Sequence, residues 1–341
     1  MGCTTLLSFS LPVGAEDIDY TKIANGITLN DGENGQKIPW GSTIHHFDNG
    51  ETEVHNSNNK LILMTSDSDA DLVATPGGFM KANHIYGVPS GTIIDHVGNI
   101  IKFYKDDQLI LTVIDKESDK KENDVQKTTS ILPNTGGWVE CAKDTGRKPD
   151  TFTANWICPS SPPGNLPNIV NFLFTGITTW TGSSIIQPVL QWNQGGAPGW
   201  SGAAWYVYSG GSSHSSYCTV SVGQSLGGSM VNYGTTWWFI TFNNYSSGSS
   251  VSLYVNTNIP LDPFIGNVVY VTLESYNTAN GDIYNTDMPG DTTFSNIAIK
   301  RNGQQLPVVW YKKMFSDSHF KMTGLDVTWS GNTTVNLLAA N

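Results

Sequence analysis

Short strand-like segments recur about every dozen residues through the second part of the chain, residues 136–341. Each is rich in β-branched and aromatic residues and is followed by a Gly, Ser or Asn turn, as in the segments 184–192 and 268–275. No segment shows the 3.6-residue period that an amphipathic helix would need. Many short strands with such turns predict an all-β fold, either an antiparallel double-sheet sandwich or a barrel.

Charged residues divide the chain into two parts. Residues 1–150 hold 22 of the 29 acidic side chains, whereas residues 151–261 have no Asp, Glu, Lys or Arg at all. Strand-like runs between Gly, Asn and Asp turns predict a smaller β-rich N-terminal domain over residues 16–115, either a pro-domain or an accessory domain. The polar, charged residues 116–135 predict an exposed linker before the sandwich of residues 136–341.

The N-terminus, residues 1–15, has the pattern of a secretion signal. An apolar run from Thr4 to Val13 is followed by small residues before Glu16, which predicts a secreted or extracellular protein. A short buried strand is the alternative. No later segment approaches the ~20 apolar residues of a spanning helix, so we expect no membrane span. The net charge of −11 lacks the basic footprint of a nucleic-acid-binding protein.

The chain has four cysteines. Cys3 lies in the signal-like segment, and Cys141 and Cys158 flank a turn-rich stretch. These two are candidates for a disulfide in an oxidising compartment. That pairing leaves Cys218 alone, and buried free thiols are the alternative.

Glu274 is an isolated carboxylate on a predicted strand, since it is the first charged residue after Asp262. Alternate residues of a strand share a face. Tyr270 and Tyr276 therefore lie on the same side of the strand as Glu274. The opposite side, which we predict to face the core, is aliphatic and consists of Val269, Val271 and Leu273.

The same alternation of side chains between the two faces of a strand applies to the segment 184–192. Gln187 and Gln191 share one face of that strand, and Trp205 takes the corresponding side of a later strand. A polar and aromatic face that combines Gln187, Trp205 and Glu274 is therefore expected. The residues predicted on the core side of the segment 184–192 are Ile186, Leu190 and Trp192.

Five motifs, taken in chain order, resemble those of the glutamic peptidases of the eqolisin (G1) type. The motifs are Ser184-Ile-Ile-Gln-Pro-Val-Leu-Gln-Trp, Ala204-Trp-Tyr, Thr219-Val-Ser-Val-Gly-Gln, Val271-Thr-Leu-Glu and Thr293-Phe-Ser-Asn-Ile. The resemblance covers about residues 150–300. It implies a lectin-like (concanavalin A-like) double-sheet β-sandwich, secretion, an N-terminal propeptide and acid-acting endopeptidase activity on polypeptides.

The resemblance assigns the catalytic pair to Gln187 and Glu274. A carboxylate beside a water can take its proton and return it to the leaving amine, and an amide side chain can stabilise the oxyanion. Burial among aromatic residues would raise the pKa of Glu274. The expected substrate-binding residues are Trp205, Tyr270, Gln191 and Tyr276.

The chain departs from the family at three acidic positions, which here are Gln191, Val207 and Ser275. The alternative function is therefore a non-catalytic extracellular β-sandwich, either glycan-binding or surface-structural, because aromatic and amide side chains also suit sugars. In that case Glu274 only accepts hydrogen bonds that fix its strand. An open groove with room for a water favours the enzyme, and a filled groove favours the alternative.

No metal or other cofactor is predicted. The histidines of the N-terminal part lack the spacing of a zinc site, and we interpret them as solvated or turn residues. They are His45, His46, His55, His84 and His96.

Overall fold

The computed structural model of the chain describes residues 27–29, 35–115, 136–179, 182–196, 198–257 and 266–339. These residues are almost entirely β, in two large sheets that pack face to face. The predicted all-β, double-sheet sandwich is therefore confirmed. Within the described residues no helix is long and apolar enough to cross a membrane. The signal-like segment, Cys3 and the predicted linker lie outside the described residues.

Among the residues that the structure describes, the first sheet has eleven strands. In hydrogen-bonded order they are β2 (Gln36–Ile38), β1 (Ile27–Leu29), β8 (Ile85–Val88), β17 (Gly211–Ser215), β16 (Trp200–Tyr208), β15 (Ser184–Trp192), β14 (Ile169–Thr178), β22 (Asn267–Asn277), β12 (Gly136–Arg147) and β25 (Tyr311–Met314), with β18 (Cys218–Thr219) paired to β16.

The second sheet has fourteen strands within the described part of the chain. In order they are β26 (Asp326–Ser330), β27 (Thr334–Leu338), β23 (Thr292–Arg301), β13 (Thr151–Ile157), β19 (Ser225–Asn232), β20 (Trp237–Asn244), β21 (Ser249–Asn256), β9 (Thr92–Val97), β10 (Ile100–Lys105), β11 (Gln108–Asp115), β3 (Ser42–His46), β4 (Glu51–His55) and β5 (Leu61–Ser66), with β24 (Gln304–Gln305) paired to β23.

A separate two-stranded hairpin consists of β6 (Leu72–Thr75) and β7 (Gly78–Lys81). Short 3₁₀ turns cover Ala82–His84, Gln194–Gly196 and Asn285–Asp287. Asp106 and Asp107 form a tight turn between β10 and β11, and both residues have positive φ, of 49° and 62°. Two such residues in a row are typical of the two-residue turns that join antiparallel strands.

Strands from the N-terminal part continue both sheets of the sandwich. In the first sheet β8 runs parallel to β17, and in the second sheet β9 runs parallel to β21. The strand pairs formed between strands of residues 136–339 are antiparallel, as predicted. Two pairs of parallel strands, one pair in each sheet, thus join residues 27–115 to residues 136–339 through main-chain hydrogen bonds.

The main core fills the space between the sheets, and a smaller apolar cluster covers the other side of the first sheet, here called the outer face. Strands β14 and β15 are buried on both sides because the core lies on one side and the hairpin β6–β7 on the other. Strand parity was correct, since the residues predicted for the core lie in it. They are Ile186, Leu190, Trp192, Val269, Val271 and Leu273.

The disulfide predicted between Cys141 and Cys158 is wrong. Cys141 lies in β12 of the first sheet, and Cys158 follows β13 of the second sheet. Both are buried free thiols, as is Cys218. The alternative of buried thiols holds for these three residues, and burial raises the pKa of Cys158 to about 12.

Candidate active site

Gln187 and Glu274 lie on the same outer face of the first sheet. Gln187 comes from β15 and Glu274 from β22, and β14 lies between these two strands. Both side chains are fully buried. Because residues of each strand alternate between faces, both point away from the core of the sandwich and toward the hairpin β6–β7.

The tip of the hairpin is a two-residue turn of Pro76 and Gly77. Thr75 and Gly78 are paired across it, and the Thr75 hydroxyl donates a hydrogen bond to the Gly78 carbonyl at 2.7 Å. Gly77 and Gly78 have φ of +134° and +133°, a region that other residues rarely adopt. The sequence Pro-Gly-Gly therefore supports a tight turn that brings the main chain close to the outer face.

Gln187 and Glu274 each hydrogen-bond the peptide group at this tip. The Gln187 side-chain amide donates from Nε2 to the Pro76 carbonyl oxygen at 2.5 Å. The Gly77 N–H donates to Glu274 Oε2 at 3.0 Å. The Pro76 carbonyl and the Gly77 N–H belong to one peptide bond. The two predicted catalytic side chains thus bind opposite ends of a single peptide group.

The second oxygen of Glu274 has a different environment from the first. Oε2 also accepts a hydrogen bond from the Tyr276 hydroxyl at 3.0 Å. Oε1 is buried and has no protein partner. Burial raises the pKa of Glu274 to about 8, although the hydrogen bonds from Tyr276 and Gly77 act in the opposite direction. The carboxyl group is thus protonated in neutral solution while the hairpin is in place.

The four residues predicted to bind substrate all lie on the outer face. Trp205 is fully buried and donates from its indole N–H to Gln191 Oε1 at 2.9 Å. Tyr276 packs against Phe79 of the hairpin, with ring centroids 5.2 Å apart. Tyr270 is half-buried. Their part in substrate binding stays a prediction.

Pro76 and Gly77 were not among the residues predicted for the site. The signal was present, because Pro-Gly-Gly stands between two apolar runs, which is typical of a hairpin turn. The pattern does not show which residues the turn contacts, because its partners Gln187 and Glu274 are more than a hundred residues away in the sequence.

The three positions at which the chain departs from the family pattern, Gln191, Val207 and Ser275, place no second carboxylate beside Glu274. Val207 lies against the hairpin tip, and its Cγ1 is 3.4 Å from the point where a Cβ on Gly77 would stand. Ser275 is buried. The pKa of Glu274 is therefore governed by burial and by two hydrogen bonds rather than by an adjacent acid.

The N-terminal histidines form hydrogen bonds within the protein. His84 pairs with Asp67 at 3.0 Å, and His46 lies between the Thr52 and Tyr86 hydroxyls. Burial lowers the pKa of His46 to about 3. Among the described residues, no group of three potential metal-binding side chains is found.

The chain is similar in structure to several glutamic peptidases. Scytalido-glutamic peptidase with a peptide-based transition-state analogue aligns over 60% of this chain and 98% of its own, at 18% identity and a TM-score of 0.44. SCP-B, an eqolisin-family peptidase in complex with the tripeptide Ala-Ile-His, aligns over 60% and 98%, at 19% identity and a TM-score of 0.41. Aspergilloglutamic peptidase from Aspergillus niger aligns over 50% and 98%, at 19% identity and a TM-score of 0.35. No protein-family model and no curated protein matches the chain.

Proposed function

We propose that this protein is a secreted, acid-acting endopeptidase of the glutamic type, with a polypeptide as its substrate. One observation carries the proposal: Gln187 and Glu274 hold the carbonyl oxygen and the amide nitrogen of the same peptide bond. These are the two atoms at which charge and a proton must be handled when a peptide bond is hydrolysed. The hairpin tip thus occupies the place of a substrate.

Each side chain has a role set by the atom that it contacts. The Gln187 amide stabilises negative charge on the carbonyl oxygen, since its N–H is already directed at that atom. Glu274 takes a proton from the attacking water and delivers it to the amide nitrogen. Tyr276 holds Oε2 in position through its hydroxyl. Oε1 is left for the water, since it has no protein partner.

The hairpin also explains how a carboxyl group with a pKa of about 8 serves in an acid-acting enzyme. Burial is the largest cause of the raised pKa, and the hairpin provides part of that burial. Once the hairpin leaves, water reaches Glu274 and its pKa falls toward the usual range of carboxyl groups. The carboxylate that activates water is then available in acidic solution.

A second candidate function is a non-catalytic extracellular β-sandwich, either glycan-binding or surface-structural. It is favoured by the filled outer face, because Gln187 and Glu274 are fully buried and bonded to the protein's own main chain. In that case the two side chains only anchor the hairpin.

Hydrolysis of a urea-denatured polypeptide, measured from acidic to neutral pH, separates the two candidates. The full chain is compared with a variant in which residues 72–81 are replaced by two glycines. This replacement is feasible because the Ala82 N–H donates to the Asp71 carbonyl at 2.8 Å, so the ends of the hairpin already meet. We expect the shortened variant to hydrolyse the substrate in acid.

The matched control is the shortened variant with Glu274→Gln. It keeps the size of the side chain but cannot accept and return a proton, so hydrolysis should stop. A shortened variant that is folded and inactive at every pH would contradict the proposed function. Binding of oligosaccharides to that variant would then support the second candidate.

A further inference from the structure

The central peptide group of a two-residue turn makes no ladder hydrogen bonds within its own hairpin. In the hairpin β6–β7 this group is the bond between Pro76 and Gly77, and both of its polar atoms bind the predicted catalytic pair. We propose that the protein cleaves its own chain at the Pro76–Gly77 bond. The inference rests on the proposed function and names one particular bond as its first substrate.

The contacts match the demands of the reaction atom by atom. Negative charge develops on the Pro76 carbonyl oxygen, which lies 2.5 Å from the Gln187 amide nitrogen. The leaving nitrogen of Gly77 lies 3.0 Å from Glu274 Oε2. A buried turn peptide needs partners for both of its polar atoms; here the two partners are the two side chains that hydrolysis of the same bond would need.

The step consumes one water molecule and no other reagent. The water oxygen attacks the carbonyl carbon of Pro76 while ionised Glu274, whose share grows toward pH 8 with the hairpin in place, takes one of its protons. The electron pair of the C–N bond then passes to the Gly77 nitrogen, which receives the proton from Glu274. The products are a carboxyl group at Pro76 and an amino group at Gly77. Glu274 returns to its starting state.

Cleavage would separate two strands that now hold each other on the outer face. Ala74 of β6 is buried in the outer cluster, and Phe79 and Met80 of β7 pack against it. Once the turn is cut, each strand is covalently attached only at its far end, beside Asp71 or Ala82. The strands can then leave the face one at a time, so that a second polypeptide can reach Glu274.

The test uses the purified full chain, incubated from acidic to mildly alkaline pH and followed by intact mass and N-terminal sequencing. We expect two products, one that ends at Pro76 and one that begins at Gly77. The rate should be first order and independent of protein concentration, because the bond and the catalytic pair belong to one molecule. Glu274→Gln and Gln187→Ala should each slow the cleavage by about 10²- to 10³-fold.

Glu140→Gln is the matched control. It also replaces a fully buried glutamate of the first sheet, but Glu140 does not contact the hairpin, so self-cleavage should continue at the wild-type rate. If Glu274→Gln does not fold, Gln187→Ala supplies the same comparison. Cleavage at Pro76–Gly77 that persists in both folded variants would overturn the inference.

The same incubations include the shortened variant and the urea-denatured polypeptide. If the shortened variant hydrolyses this substrate while the full chain keeps its Pro76–Gly77 bond intact at every pH, the inference is wrong and the proposed function stands. If neither reaction occurs in folded protein, both are wrong. Self-cleavage at this bond that requires Glu274 supports both.

Discussion

Two buried glutamates lie on neighbouring strands of the first sheet, and their side chains lie on opposite faces of it. Trp138 of β12 is aligned with Glu274, whereas Glu140 is aligned with Leu273, whose side chain lies in the core. Both carboxyl groups are fully buried, and burial raises the pKa of each to about 8. Their pKa values alone would not tell a catalytic group from a structural one.

The hydrogen-bond partners of the two carboxyl groups do differ. Glu274 accepts from the Gly77 N–H and the Tyr276 hydroxyl, whereas Glu140 interacts with the main chain of Asp326. The pKa of Glu140 is raised further by the nearby Asp291. Glu274 lies beside a peptide group whose nitrogen would receive a proton on hydrolysis and whose oxygen is held by Gln187, whereas Glu140 lies on the core side of the sheet. The comparison teaches that contacts, rather than a shifted pKa, identify the catalytic candidate.

The largest expected effect separates the two glutamates by activity. Glu274→Gln should lower hydrolysis of a denatured polypeptide by the shortened variant at least about a hundredfold, because the proton acceptor is lost. Glu140→Gln in the same background should leave the rate within about twofold. The measurement is the initial rate at the optimal pH, with circular dichroism as the check on folding. Equal losses in both variants would remove the distinction between the two faces.

Gln187→Ala should produce the second effect, a fall in turnover of about 10² to 10³. The amide contacts the carbonyl oxygen, so the loss should appear in kcat more than in KM. Glu140→Gln, on the core side of the same sheet, is the control for general effects of a buried substitution. A loss confined to KM in Gln187→Ala would argue that the amide only binds the chain.

The third effect is on stability and should be shared by both glutamates. Their folded pKa values lie above the usual 4.5, so between about pH 4.5 and 8 the folded state holds protons that the unfolded chain has released. The unfolding free energy should therefore fall as the pH rises through this window. The unfolding free energy falls by up to about 1.4 kcal/mol per pH unit for each glutamate. Below the window each glutamate makes its full contribution to stability.

Urea unfolding at a series of pH values measures this dependence. Glu274→Gln and Glu140→Gln should each remove the part of the pH dependence of the unfolding free energy that comes from the replaced glutamate. The histidines contribute equally to this dependence in wild type and variants. The groups that act electrostatically on the two glutamates are Tyr276 and Cys141 for Glu274, and Asp291 and Asp326 for Glu140. An unchanged slope in both variants would show that neither carboxyl group is held protonated by the fold.

Much of the sandwich could be predicted from the sequence because strand patterns are local. The segment 184–192 was predicted with the bounds that β15 has, and the alternation along it assigned each side chain to the correct face. The predicted positions of Gln187 and Glu274 on one face follow from the same rule. The rule needs only the period of a strand, which a single sequence contains.

The cover over that face could not be predicted in the same way. The hairpin of residues 72–81 has a clear turn signal, but its contact with Gln187 and Glu274 depends on how β8 and β9 join the two sheets. The pairing of Cys141 with Cys158 failed for a related reason, because closeness in sequence does not reveal that β12 and β13 belong to different sheets. A sequence pattern describes one segment at a time, so it does not predict contacts between distant segments.

The smallest expected effect makes Glu274 more like Glu140. Tyr276→Phe removes one of the two donors to Glu274 Oε2, and that donor lowers the pKa of the carboxyl group. The pKa of Glu274 should therefore rise further, while the loss of one hydrogen bond costs about 1 kcal/mol of stability. In urea unfolding, the pH window of destabilisation should extend upward in Tyr276→Phe. The shift should vanish when Glu274→Gln is added, because the titrating group is then absent. A shift that persists in the double variant would mean that the hydroxyl acts on some other group, and the two glutamates would then differ by the Gly77 contact alone.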